Sequence, residues 1–343
     1  MILATHDLNT AWFIIIAILF TGYAVLDGFD LGVGALHLFV KNDSDRRIML
    51  NSIAPVWDGN EVWLVTGGGA LFAAFPNVYA TVFSGFYSAL IALLVALILR
   101  AVAIEFRSKM ENPGWRRLWD ASFSVGSVAS MFLLGVALGN IAMGVPLDQH
   151  GEYVGGFWSL LRPYPILVGV SGMAILTMHG LSYALLKTNG DLQSKLRSWV
   201  PRMVVLSAAC YAALAVATFL SASHLTARFK ANPWLFGILI LGGIAIGNVL
   251  RETRRRREKS AFLSSCTVVI ALLALFAVGM YPNLVPSRPN PEYSLTIHNA
   301  SSSHKTLSLM LIIALVGMPL VLLYTIAIYR IFRGKVKLDR TSY

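Results

Sequence analysis

Cysteine is nearly absent: Cys210 and Cys266 are the only two in 343 residues. Both fall inside long apolar runs, and two isolated thiols have the spacing of neither a disulfide framework nor a metal site. Charge is scarce too, at 13% of residues, against about 25% in a soluble domain. No glycine-rich phosphate loop, zinc-ligand spacing or nucleophile elbow is present, so nucleotide, zinc and serine-hydrolase chemistry have no carrier here. Residues 1–10 hold no Lys or Arg, and the apolar run that follows is too long for a signal-peptide core, so no cleavable signal is expected.

Apolar residues fill the space left by charge, at 56% with a mean hydropathy of +0.66. A bilayer is spanned by about 20 such residues in helical form. Runs of that order cover 11–39, 47–75, 78–104, 118–144, 157–186, 202–223, 234–250, 261–281 and 306–332. The pattern predicts an all-α integral membrane protein of nine transmembrane helices. The division expected is two four-helix bundles, residues 1–145 and 146–285, then 286–343 as an outer loop, a peripheral ninth helix and a basic tail. The 282–305 connection holds Pro282, Pro286, Pro289 and Pro291 and should form no long helix.

The net charge of +11 suggests nucleic acid, but its distribution excludes that. With the C-terminus placed inside, 23 of the 28 Lys and Arg fall on the cytoplasmic side, from Lys41, Arg46 and Arg47 through Arg107 and Arg254–Arg257 to Arg340. Arg162, Arg228, Lys230, Arg288 and Lys305 fall opposite. This is the positive-inside asymmetry. It requires an odd number of spans, with the N-terminus outside and the C-terminus in the cytoplasm. Arg254–Arg257 reads as a topology anchor that can also meet anionic lipid.

Against this apolar background the acids are conspicuous. Asp27 and Asp30 are three apart on the first span, as are Asp58 and Glu61 on the second, so each pair shares a helix face. An acid at the bilayer centre costs about 2.5–3.5 kcal/mol on an insertion scale. Asp30 precedes Lys41, and Asp58 follows Arg47, by 11 residues each. At about 1.5 Å per residue both lie roughly 16 Å inside the headgroup level. The expectation is one cluster of four acids, with Arg100 as its cation and Trp57 and Asn60 as supports. Such a cluster cannot be fully ionised without partners, and carboxyls in that state suit a proton relay; a buried ion pair fixing helix register is the plainer alternative. Gly28, Gly32 and Gly67–Gly69 read as close-packing positions, Pro55 and Pro319 as kinks, and Trp12 and Trp63 as interface anchors or packing. Asp27-Gly28 and His179-Gly180 form a faint internal echo. Haem ligation needs axial His, Met or Cys at matched depth. Only His37 and His179 lie within spans, which makes no convincing pair.

The segments Asp27-Gly28-Phe29-Asp30-Leu31-Gly32-Val33-Gly34 and Trp57-Asp58-Gly59-Asn60-Glu61-Val62-Trp63 resemble subunit II of cytochrome bd-type quinol oxidases. The stretches 46–55, 69–74, 83–87, 106–109, 115–120, 294–297 and 322–325 are similar to that family as well. The resemblance implies a bacterial plasma-membrane complex that oxidises quinol and reduces oxygen to water. It implies that haem b and haem d are ligated by a partner, subunit I, and none by this chain. It also implies contacts with quinone and lipids, and room for a small single-helix accessory subunit. Asp58 matches a residue on the family's cytoplasmic proton route, and the 224–233 loop is short for the family. A proton-coupled secondary transporter using Asp27, Asp30, Asp58 and Glu61 is the other reading of the acids, although the acid-bearing hairpin has no second copy of the kind transporters show.

Overall fold

The computed structural model describes residues 5–288 and 290–338; Pro289 and Arg340 lie outside them. Twelve α-helices dominate: α1 (Thr5–His37), α2 (Asp43–Ile53), α3 (Trp57–Ala74), α4 (Pro76–Gly85), α5 (Tyr87–Phe106), α6 (Pro113–Met143), α7 (Pro163–Lys187), α8 (Gly190–Ser221), α9 (Ser223–Ala231), α10 (Phe236–Arg254), α11 (Glu258–Met280) and α12 (His304–Ile331). Their ends follow local chemistry. Asn112 caps α6 by accepting the Gly114 and Trp115 N–H groups, and Pro113 sits at the first helical position, where no N–H is needed. Ser303 caps α12 through Thr306.

Among the described residues, eight helices are long and apolar enough to cross a membrane: α1, α5, α6, α7, α8, α10, α11 and α12. The expected second span, 47–75, is not among them, so the count of nine is not reproduced by length and composition alone. Pro55 breaks that span into α2 and α3 at Ala54–Val56, because proline cannot donate to the helix and clashes with the preceding turn. The polar groups Asp58, Asn60 and Glu61 then depress the apolarity of α3. The expected third span is also in two pieces, α4 and α5, joined at Phe86. Pro319, by contrast, lies inside a continuous α12. The connection between the sixth and seventh spans is not an open loop, since most of it is α9.

α1 and α7 stand side by side at the centre, with α3, α6 and α11 also against α1. A Cβ on Gly32 would fall 2.1 Å from the Leu176 carbonyl oxygen, and one on Gly180 would fall 2.4 Å from the Gly32 carbonyl carbon. The echo of Asp27-Gly28 in His179-Gly180 therefore joins two segments that touch. Close backbone approach of this kind is how membrane helices gain dispersion contact when lipid is as apolar as their side chains. A Cβ on Gly67 would meet Phe20, but one on Gly68 or Gly69 would meet nothing within 4 Å in this chain, so those two are not close-packing positions within it. Trp12 and Trp63 are buried, so they are core residues, and the Trp12 indole N–H donates to the Leu307 carbonyl at 3.0 Å.

Two ends of the molecule are distinct. At one, Ser302 donates to the Ala73 and Ala74 carbonyls, closing α3 onto the start of α12. There β1 (Asn283–Val285) pairs antiparallel with β2 (Leu295–Thr296), and the 282–305 connection carries no long helix. At the other end Asp43, which opens α2, is bound by Arg107 and Arg116. Together α2 and α3 thus run the whole distance between the two ends.

Candidate functional site

Three of the four expected acids converge, and the fourth does not. Asp27 and Asp30 on α1 and Arg100 on α5 are each fully buried. Arg100 clasps Asp27 with two parallel bonds, Nη2 to Oδ1 at 2.7 Å and Nη1 to Oδ2 at 2.8 Å. This fork-on-carboxylate geometry is the strongest that the pair can adopt. The same Nη2 lies 3.4 Å from Glu61 Oε2 on α3, whose side chain is 23% exposed. The Trp57 ring centroid lies 6.0 Å from the guanidinium carbon. Arg100 is therefore buried among helices and does not count as a surface charge.

Asp30 has a different setting. Its Oδ2 accepts from Asn60 Nδ2 at 2.8 Å, while its Oδ1 is buried without a hydrogen-bond partner. Asn60 spends its remaining donor capacity on the Leu26 carbonyl at 3.2 Å and accepts at Oδ1 from the Tyr329 hydroxyl at 2.9 Å. One guanidinium thus faces three carboxyls. An excess of acid over cation is costly in a low-dielectric layer.

Asp58 is exposed on the outer face of α3, in line with Val62, Val65, Gly69 and Phe72. Helical rotation explains why. Positions two apart point to nearly opposite sides of a helix, so burial of Asn60 turns Asp58 outward. Glu61 lies between the two directions, which accounts for its partial exposure. The expected four-acid cluster is therefore a trio, with Asp27 and Asp30 buried and Glu61 partly exposed, and Asp58 lies outside it, one turn from Glu61.

A second ionic nest lies at the end of the molecule where α2 begins. Asp120 on α6 accepts from His37 Nε2 at 2.6 Å, Arg107 Nε at 2.5 Å and Arg46 Nη1 at 2.8 Å. Arg107 also reaches Asp43 at 2.6 Å, and Arg116 reaches Asp43 at 3.1 Å. Sequence reasoning counted these arginines only as topology signals. The lone acid Asp120 early in an apolar run was the available clue.

His179 has both ring nitrogens engaged, whereas His37 keeps a buried Nδ1 without a partner. His179 Nδ1 is 2.8 Å from Ser265 Oγ, its Nε2 is 2.9 Å from the Val25 carbonyl oxygen, and Phe262 stacks on its ring. His37 is fully buried with Nε2 on Asp120. Among the described residues no group of three or more His, Cys, Asp or Glu could hold a metal ion.

The chain's relatives agree among themselves. Cytochrome bd-I ubiquinol oxidase subunit 2 of Escherichia coli (strain K12) is 35% identical over 360 residues, covering 96% of this chain and 95% of that protein. Cytochrome bd ubiquinol oxidase subunit 2 of Bacillus subtilis (strain 168) is 35% identical over 332 residues, covering 96% of each. The fold is shared with a chain of the bd oxidase from Geobacillus thermodenitrificans, at a TM-score of 0.78 and 15% identity, over 95% of this chain and 98% of that one. The family described as cytochrome bd terminal oxidase subunit II matches residues 8–332. On that match and these identities, the chain belongs to the cytochrome bd terminal oxidase subunit II family and is a multi-pass membrane subunit of a bacterial quinol oxidase.

Proposed function

We propose that this chain supports the haem-bearing subunit I of that oxidase and supplies part of the route by which cytoplasmic protons reach the site of oxygen reduction. In this reading subunit I ligates haem b and haem d, which carry the electrons from quinol to oxygen, and this chain ligates none. The observation that carries the reading is the trio Asp27, Asp30 and Glu61 with a single guanidinium, and with Asp58 one turn away on an exposed face. An acid on a lipid-facing surface is costly, so the α3 face with Asp58 is the side we assign to subunit I. Protons then pass between Asp58 and the trio through Glu61, the one member that is partly exposed. The transporter reading has no observation in its favour once the family is known.

The same reading takes α2 and α3 together as the ninth crossing, because they run between the two ends of the molecule. Nine crossings put the N-terminus outside and the C-terminus in the cytoplasm, as the basic residues require. Residues 1–145 and 146–285 then form two helical units, with lipid, quinone and a small accessory subunit as further contacts. Reporter fusions should place 251–259 inside and 282–305 outside; the reverse would move the trio to the wrong side for cytoplasmic protons.

The functional test is Asp58→Asn in the two-subunit complex. The change preserves size and hydrogen bonding and removes the exchangeable proton. Oxygen consumption should fall, most at high pH where protons are scarce, with haem content and subunit ratio unchanged. Normal turnover across pH 6–9 in a fully assembled complex would remove Asp58 from the route.

A further inference from the structure

α12 is the most exposed of the long helices, and the trio does not need it for charge balance. Yet Tyr329, near its end, is hydrogen-bonded to Asn60, the partner of Asp30, from 269 positions away in the chain. The bonding pattern has a direction. Asn60 Nδ2 is the donor to both Leu26 O and Asp30 Oδ2, at 3.2 and 2.8 Å, which leaves the amide oxygen as its acceptor. Tyr329 must therefore donate its hydroxyl proton to that oxygen, at 2.9 Å. An amide that lost this bond could turn over and present its oxygen to Asp30, the opposite polarity.

Asp30 is the carboxyl for which this matters. Asp27 is oriented by two bonds to Arg100. Asp30 is held by Asn60 alone, and its other oxygen is buried with no partner. The position of its exchangeable oxygen thus depends on a single neutral amide, and the sense of that amide depends on Tyr329. Tyr329 itself is firmly placed. Just beyond it the Phe332 carbonyl accepts from Lys187 Nζ at 2.6 Å, Lys335 Nζ donates to the Leu185 carbonyl at 3.1 Å, and Val336 N donates to the Lys187 carbonyl at 2.9 Å. These bonds clamp the end of α12 to the end of α7.

We propose that Tyr329 is a positioning residue of the proton route: through Asn60 it fixes Asp30 with one oxygen bound and the other free to exchange a proton. Tyr329 passes no proton itself, since the amide between it and Asp30 is a poor relay. The inference rests on the reading of the trio as a proton route.

The test uses the assembled two-subunit oxidase with its haems. Asp30→Asn identifies, by infrared difference spectroscopy, the carboxyl C=O band that belongs to Asp30, and it should slow oxygen consumption. Tyr329→Phe preserves the ring and removes only the hydroxyl. It should shift that band and lower turnover about three- to tenfold, the rate equivalent of one neutral hydrogen bond, with quinol KM and haem content unchanged. Asn60→Leu breaks the same link from the other side and should move the same band, so the inference stays testable if Tyr329→Phe assembles poorly. A band and a turnover both unaltered by Tyr329→Phe, or a band unmoved in both variants, would overturn the role of Tyr329. Normal turnover in Asp30→Asn would instead overturn the proton-route reading on which it rests.

Discussion

Two ionic nests lie on one face of α1, two helical turns apart, and they are built on opposite principles. Around Asp120 the cations are in excess: Arg46, Arg107 and Arg116, with the His37 ring beside them, surround two acids, Asp120 and Asp43. Around Arg100 the acids are in excess, with three carboxyls to one guanidinium. The first nest ties α1, α2 and α6 together near the membrane edge, and Asp120 is saturated with donors. The second leaves an oxygen of Asp30 buried and unpartnered. A saturated carboxylate is a fastener. An unsaturated carboxyl in the same apolar setting can exchange a proton, because no donor has to be displaced first.

That contrast is broken or sharpened by mutation. The largest effect should come from Asp120→Ala, which strands Arg107 and His37 in buried positions; the loss should be about 3–5 kcal/mol. Thermal unfolding and yield of the complex measure it, and a normal melting temperature would show that the nest is not a fastener. Gly32→Val comes next. It touches neither nest but drives a side chain into the α7 backbone between them, at a cost of about 1–3 kcal/mol or more, seen as a lower melting temperature of the complex. Asp30→Asn should do the reverse of Asp120→Ala: stability and haem content hold while oxygen consumption drops about tenfold, a barrier change of about 1.4 kcal/mol. A variant that instead loses assembly would make Asp30 a fastener as well. The smallest effect belongs to Gly68→Ala, which meets nothing within 4 Å and should shift the melting temperature of the isolated chain by no more than about 0.5 kcal/mol would.

Much of the frame was readable along the chain. The apolar runs located eight long helices, Pro55 marked the break between α2 and α3, and the pairing of Arg100 with the acids followed from depth alone. Gly32 was legible as a packing position, although its partner Gly180 was visible only as an echo. What was not legible depended on azimuth or on distant pairing. Asp58 and Glu61 share a face by spacing, but spacing does not say which way that face points. Burial of Asn60 decided it, and Asp58 turned outward. The arginines of the Asp120 nest were masked by their role in the charge asymmetry, since a basic residue at the membrane edge has a sufficient reason to be there without a partner.

The amino-acid sequence by itself determined that this protein lives in a bilayer, roughly where its long helices lie, and that its basic residues gather on alternate loops. Those properties follow from transfer free energies and backbone chemistry, which act residue by residue and need no knowledge of neighbours. Only the tertiary structure decided which acid meets Arg100, which points outward, and that a tyrosine on the last helix is joined through Asn60 to an aspartate on the first. A helix can be rolled about its axis by one residue, about 100°, with little change in its own hydropathy. The contacts of α1 with α3, α6, α7 and α11 select one roll among these, and the chemistry of the site follows from that selection.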